Sequence, residues 1–235
     1  KVTGVQTCAL PILGKENVAP RVILTEGGSM TDIYVYNQLT KDNNGNIKVD
    51  QNGNLGITSS NTPVKVGNLD ADFNLGWTNH FTYKGIDLGV VLSARVGGLA
   101  YSATQGILDY YGVSETSATA RDNGGIPINN GKVNAQKYYQ TIGTGEGGYG
   151  RYYLYSATNV RLQELSLNYT LPKRWFKNVA NVTLGIVGRN LWMIYCKAPF
   201  DPELSASTSS NYYMNVDYFM QPSLRNFGFN VKVQF

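Results

Sequence analysis

Few side chains in this sequence have the type and spacing for covalent chemistry. His80 is the only histidine, so neither a histidine-based metal cluster nor a Ser-His-Asp set has enough members. It falls on the polar side of an alternating stretch and is expected to face water. Gly143, Gly145 and Gly148 satisfy G-x-G-x-x-G. A dinucleotide loop of that form must follow a strand and open a helix. Here a helix-like, Tyr-rich stretch precedes it and a Tyr-rich segment follows, so a plain loop is expected. Asp42, Asn44 and Asn46 have the spacing that opens a calcium loop, but Gly45 is misplaced and the distant Glu ligand is missing. Two turns around a small hairpin over 42–53 are the better reading. Cys8 and Cys196 form no disulfide framework or metal cluster. No catalytic residue, cofactor site or metal site is assigned.

What remains with binding capacity is tyrosine. There are 17, alongside 26 glycines. Tyr110, Tyr111, Tyr138, Tyr139, Tyr152, Tyr153, Tyr212, Tyr213 and Tyr218 fall in polar, loop-like stretches. An aromatic face with a phenol handle suits a sugar ring. Most of these rings are expected to pack the loops against one another. The first candidates for substrate contact are Tyr152, Tyr153 and Tyr155.

The elements that position these residues follow from period-two alternation. Over 72–83, Phe73, Leu75, Trp77, Phe81 and Tyr83 share one face, while Asp72, Asn74, Gly76, Thr78, His80 and Thr82 share the other. After Lys84-Gly85 the pattern resumes with Ile86, Leu88, Val90, Leu92, Ala94 and Val96. Two long strands joined by two residues predict a hairpin. A third strand is expected over 159–171. Its apolar parity switches from Val160 and Leu162 to Leu165, Leu167 and Tyr169, which predicts a bulge near Gln163–Glu164. A fourth is expected over 180–192. The fifth carries Phe227, Phe229, Val231, Val233 and Phe235 in alternation.

Connections alternate in length: 83–86 and 171–179 are short, whereas 98–158 and 193–222 are long, polar and rich in Gly, Tyr and Asn. Short helices are expected over 104–111 and 133–141. Strands of about 11–13 residues exceed the usual 5–6 and match a tilted crossing of a bilayer core. The polar faces hold Gly, Asn, Thr and Ser rather than the dense charge of a soluble sandwich. Only 15% of residues are charged and the net charge is +4, with no basic run to hold nucleic acid. No stretch is long and apolar enough for a transmembrane helix. The expected class is therefore all-β: the C-terminal fragment of an antiparallel transmembrane β-barrel, an open sheet of long strands with large extracellular loops. The alternative is a secreted β-sandwich that binds glycans.

Residues 2–12 read VTGVQTCALPI and resemble the conceptual translation of a sequencing-adapter oligonucleotide. Residues 1–12 are therefore expected to be foreign to the gene, leaving 13–235 as the protein.

An ordered set of stretches carries a family resemblance: TEGGSMTDIY (25–34), VGNLDADFNLGWTNHFTYKGIDLG (66–89), SATQGILDYYGVS (102–114), ARDNGGIP (120–127), AQKYYQT (135–141), YSATNVRLQELSLNYTLP (155–172), GRNLWMIY (188–195), PFDPE (199–203) and PSLRNFGFNVKVQF (222–235). Together they resemble the C-terminal barrel region of SusC/RagA-type TonB-dependent importers. The resemblance implies a barrel of about 22 strands with a plugged lumen, in the outer membrane of a Gram-negative cell. The plug, the N-terminal strands and the TonB-contacting box would lie outside this chain. It further implies a SusD-like surface lipoprotein, the TonB complex and outer-membrane lipid as partners, with no enzymatic activity. Oligosaccharides are the expected cargo, and oligopeptides or metal chelates the alternatives. Phe235 is expected to act as a barrel-assembly signal at the end of the lipid-facing row.

Overall fold

A computed structural model describes residues 6–8, 19–145, 147–177, 179–204 and 215–234. In chain order the strands begin with β1 (Gln6–Cys8), β2 (Arg21–Leu24), β3 (Asp32–Leu39) and β4 (Ile57–Asn68). Next come β5 (Phe73–Tyr83), β6 (Ile86–Val96), β7 (Leu99–Ser102) and helices α1 (Ala103–Tyr110) and α2 (Glu115–Asp122). They are followed by β8 (Ile126–Ile128), β9 (Gly131–Val133), α3 (Ala135–Ile142), α4 (Gly150–Tyr153) and β10 (Leu154–Ser156). The chain closes with β11 (Asn159–Thr170), a 3-10 turn at Lys173–Phe176, β12 (Asn181–Cys196), β13 (Val216–Asp217) and β14 (Asn226–Gln234). These elements form two compact units, one from 1–70, 98–156 and 203–220, the other from 71–97, 157–202 and 221–235.

The second unit is a five-stranded antiparallel sheet in the order β14-β12-β11-β6-β5. It is open, since β5 and β14 each pair on one side only. Tyr83 pairs directly with Ile86. Lys84 (φ 48°) and Gly85 (φ 85°) both take the left-handed region, the mirror-image turn whose twist matches that of the strands it joins. Gly85 is needed twice over, because a Cβ there would also meet the Thr170 carbonyl at 2.9 Å.

Register explains the faces. Leu88 of β6 pairs with Phe81 and Leu167, Leu167 with Ile186, and Ile186 with Phe229. One apolar row thus crosses all five strands. The expected bulge is present: β11 pairs through Leu162 and Glu164 with Leu92 and Val91, skipping Gln163. β12 runs to Cys196, beyond the expected end at 192, because Asn190 (φ 53°) and a second register shift let it continue through irregular pairing. A sandwich would seal the apolar row. Instead Leu75, Trp77, Phe227 and Phe229 are 60%, 48%, 81% and 69% exposed.

The first unit corrects the reading of 98–158 and 193–222 as polar loops. Residues 98–156 and 215–220 fold with 19–70 around a core of their own. That core includes Leu39, Leu55, Tyr101, Ile128, Val133, Ile142, Tyr153 and Val216. A four-stranded sheet, order β1-β2-β3-β4, stands beside a three-stranded one, order β10-β7-β13. Neither β3 nor β4 was anticipated. β4 carries Pro63 and no apolar alternation. It lies at the sheet edge, where a missing N–H is tolerated, and its register jumps from Ser59 to Val64 against Asn37 and Val35. α1, α2 and α3 are capped conventionally: Ser102, Ser114 and Asn134 accept backbone N–H bonds from Gln105, Ser117 and Gln136. The expected helices at 104–111 and 133–141 match α1 and α3, whereas α2 and α4 were missed.

Candidate functional site

The side of the five-stranded sheet opposite the apolar row is polar. Thr82 pairs with Asp87, Asp87 with Asn168, Asn168 with Gly185, and Gly185 with Asn230. Thr82 Oγ1 donates to Asp87 at 2.9 Å and Asn168 Nδ2 donates to it at 3.4 Å. His80, on the polar face as expected, places Nδ1 3.8 Å from Asp87. Arg189 pairs with Glu164 at 2.8 Å. This surface is mixed in charge.

At one end of the same sheet Arg161 is buried and pairs at 2.7 Å with Asp201, whose side chain is 7% exposed. Asp201 also accepts from Ser223, and Ser223 Oγ accepts from Asn190 Nδ2 at 2.8 Å. Asn190 is the left-handed residue of β12. The clasp therefore ties the PFDPE stretch and the approach to β14 onto the irregular part of the β11–β12 pair. The charges were readable in the sequence, but their pairing joins residues 40 apart, which no local pattern encodes.

In the first unit, Asp42–Asn46 and Asp50–Asn54 are successive copies of one turn. Each Asp Oδ1 accepts from the N–H groups two and four residues on, at 2.7–2.9 Å. Asp50 is held below the usual carboxylate range by the Asn54 N–H and side-chain amide, then by the Asn52 N–H. At Asp42 desolvation acts upward, but the Asn46 and Asn44 N–H groups outweigh it and the net shift is also downward. Both carboxylates and Lys48 line the adjoining cleft of about 770 Å³ together with the amides of Asn46, Asn54, Asn129 and Asn130 and apolar residues such as Ile47 and Leu55.

The tyrosines divide by burial. Tyr101 is buried and donates to the Gly147 and Gly148 carbonyls at 3.0 and 2.7 Å. Gly143 and Gly148 of the G-x-G-x-x-G stretch serve close packing. A Cβ on Gly106 of α1 would come within 1.9 Å of the Gly147 carbonyl, and one on Gly143 within 2.7 Å of the Gly106 carbonyl. Tyr152 is half-buried, and its hydroxyl accepts from the Leu39 N–H at 2.6 Å. Tyr153 is 2% exposed. Its hydroxyl lies against the Asp109 carboxylate without a well-formed hydrogen bond. Its ring packs into the unit's core. Burial, then the Asp109 charge, push the half-buried Tyr155 phenol up to about 12. Tyr212, Tyr213 and Phe235 lie outside the described residues.

The residue missed from the sequence is Asp109. It is 4% exposed, and its Oδ1 accepts from Gln105 at 2.8 Å, from Thr116 at 3.0 Å and from Ser114. It lines a small cavity of about 160 Å³ with Tyr110, Tyr111, Arg121, Gln136 and Tyr139. A lone acid in a helix that is otherwise apolar, small or neutral was the available signal. Among the described residues no group of three or more His, Cys, Asp and Glu could hold a metal ion, and no helix is long and apolar enough to cross a membrane.

Comparison with known proteins agrees with this geometry. The chain is 26% identical over 201 residues to "TonB-dependent receptor P3" of Formosa agariphila, covering 83% of this chain and 19% of that protein. The sequence match supports the resemblance to TonB-dependent receptors. In fold, the chain matches a solved structure of the RagAB peptide importer in its closed-closed state, with a TM-score of 0.54 at 18% identity. That match covers 86% of this chain and 22% of the other. A second RagAB peptide transporter structure matches with a TM-score of 0.51 at 16% identity, over 86% and 22% of the two chains. No family model matches the chain. The chain spans about a fifth of the length of the proteins it resembles.

Proposed function

We propose that this chain supplies barrel strands and outer loops to an outer-membrane importer of oligosaccharides. The importer is energised through TonB and works with a SusD-like lipoprotein, and its chemistry is binding and gating rather than bond cleavage. The observation that carries this reading is the two-faced open sheet. Its continuous apolar, aromatic row suits acyl chains, and its polar face suits a wet lumen. The four amides of the cleft, Asn46, Asn54, Asn129 and Asn130, support hydroxyl-rich cargo, since amides replace a sugar's water contacts. Tyr152 and Tyr155, half-buried, remain candidates for cargo contact. Phe235 is proposed to promote assembly, so its deletion lowers the amount of folded barrel rather than the transport rate per barrel.

A second reading, oligopeptide import, is favoured by the fold shared with a peptide importer. The deciding experiment compares strains with and without the parent gene on a panel of glycans, peptides and iron chelates. It adds binding to the purified transporter–lipoprotein complex. Glycan-confined growth defects are expected. Defects confined to peptides or chelates, with every glycan unaffected, would reject the glycan assignment.

A further inference from the structure

We propose that the cavity beside Asp109 is a binding site for an alkylammonium group. Asp109 sits near the C-terminal end of α1, with its side chain in the unit's interior. A carboxylate this deeply buried normally has a cationic partner. Among the described residues no Lys, Arg or His forms an ion pair with it. The three donors named above are neutral, and all fall on Oδ1. They orient the group without cancelling its charge.

The cavity supplies what a small cation needs. Tyr110, Tyr111 and Tyr139 line it, and aromatic faces attract cations through the ring quadrupole. Tyr110 and Tyr111 meet edge-to-face with centroids 5.1 Å apart. Arg121 also lines the cavity, but its Nη1 donates to the Gly112 carbonyl at 2.7 Å. Its side chain is exposed, where water and salt screen it. The uncompensated charge at depth is therefore negative. A volume of about 160 Å³ is below the range of about 300–1,000 Å³ that takes a whole drug-sized ligand. It fits one group at the end of a longer molecule. An ammonium brings three donors on a compact centre, whereas a neutral hydroxyl leaves the carboxylate uncompensated.

Two sources offer this chemistry, the amino terminus of a peptide and an amino sugar. The site rests on the importer reading for its biological use only, since binding is measured directly. The test uses the full-length transporter that contains this chain, purified in detergent, with titration calorimetry. The probes are trialanine, N-acetyl-trialanine, the glucosamine trisaccharide and its fully N-acetylated counterpart. At least one free amine is expected to bind about tenfold more tightly than its acetylated form. Preference within the peptide pair assigns the amino terminus, and preference within the sugar pair assigns the amino sugar.

Asp109→Asn keeps an acceptor for Gln105 and Ser114 and removes the charge, so it should abolish the preference while leaving acetylated probes unaffected. Should that variant fail to fold, Tyr111→Ala serves, because its ring is 66% exposed. It should reduce the preference about threefold with no change in melting temperature. No binding by either free amine, equal binding of free and acetylated probes, or a preference that survives both substitutions overturns the proposal. Failed glycan and peptide uptake with an intact amine preference removes the importer reading and leaves this site standing.

Discussion

The two units solve opposite solvation problems with similar residues. In the loop unit Tyr101, Tyr153, Ile23 and Ile33 are sealed, and the surface carries Asn, Asp, Thr and Lys. In the sheet unit Phe, Leu, Trp and Ile lie outside, and buried polar groups such as Asn159 and Arg161 lie within. The first pattern is that of a small water-soluble domain. The second fits a solvent of hydrocarbon on one side and water on the other. Aromatic content alone does not separate them. What separates them is whether the rings converge on a centre or line up along one face.

The largest expected effect tests the polar interior of the sheet. Arg161→Ala removes the guanidinium that faces the Asp201 carboxylate, and should cost about 3–5 kcal/mol of barrel stability. Replacing both partners with apolar residues should recover much of that loss. Thermal unfolding of the full-length protein in detergent measures both, and equal losses for single and double variants would count against the clasp. Next is the lipid face. Leu75→Arg should cost about 2–4 kcal/mol if the site lies near the bilayer midplane, and appear as a reduced heat-modifiable band in outer-membrane fractions. A neutral outcome would return the sheet to water and blur the distinction between the units.

The comparison is sharpened by pH. In the loop unit Asp32 is buried, and its carboxyl is held below its ordinary value of 3.8. The Lys65 ammonium, 2.6 Å away, is the main cause. Burial acts upward, and the Ser29 N–H adds a further downward push. A depressed folded pKa stabilises at pH above the unfolded value and is lost as pH falls through the folded one. Amide exchange should therefore accelerate in β3 and β4 below about pH 4. Asp32→Asn should flatten that acid dependence, whereas an unchanged profile would detach the ion pair from stability. The smallest effect belongs to origin rather than energy. Residues 1–12 are proposed to be foreign to the gene although Gln6–Cys8 pairs with β2. Genomic reads crossing codon 13 should diverge from VTGVQTCALPI, and reads that preserve it would show a native strand.

Legibility followed locality. The β5–β6 hairpin was readable because both partners and their turn lie within about two dozen residues and the alternation is unbroken. α1 and α3 were anticipated as short helices inside a long connection. β4 was not, since its edge position tolerates Pro63 and makes no demand for apolar alternation. The loop unit as a whole was missed because its core gathers one or two residues from each of many short segments, so no single window looks apolar. Asp109 was missed for a related reason: Ser114 and Thr116 lie in the next helix or its cap, and Tyr139 comes from α3.

The bulge at Gln163 has a consequence best stated as a reading frame. A strand reads its sequence in twos, and an odd insertion exchanges every outward residue for an inward one. Val160 and Leu162 are written in one frame, Leu165, Leu167 and Tyr169 in the other. The extra residue restores phase between them, so that all five face the same way. Removing Gln163 alone would be a frameshift in three dimensions. It would turn one end of β11 inside out while leaving the composition of the strand almost unchanged.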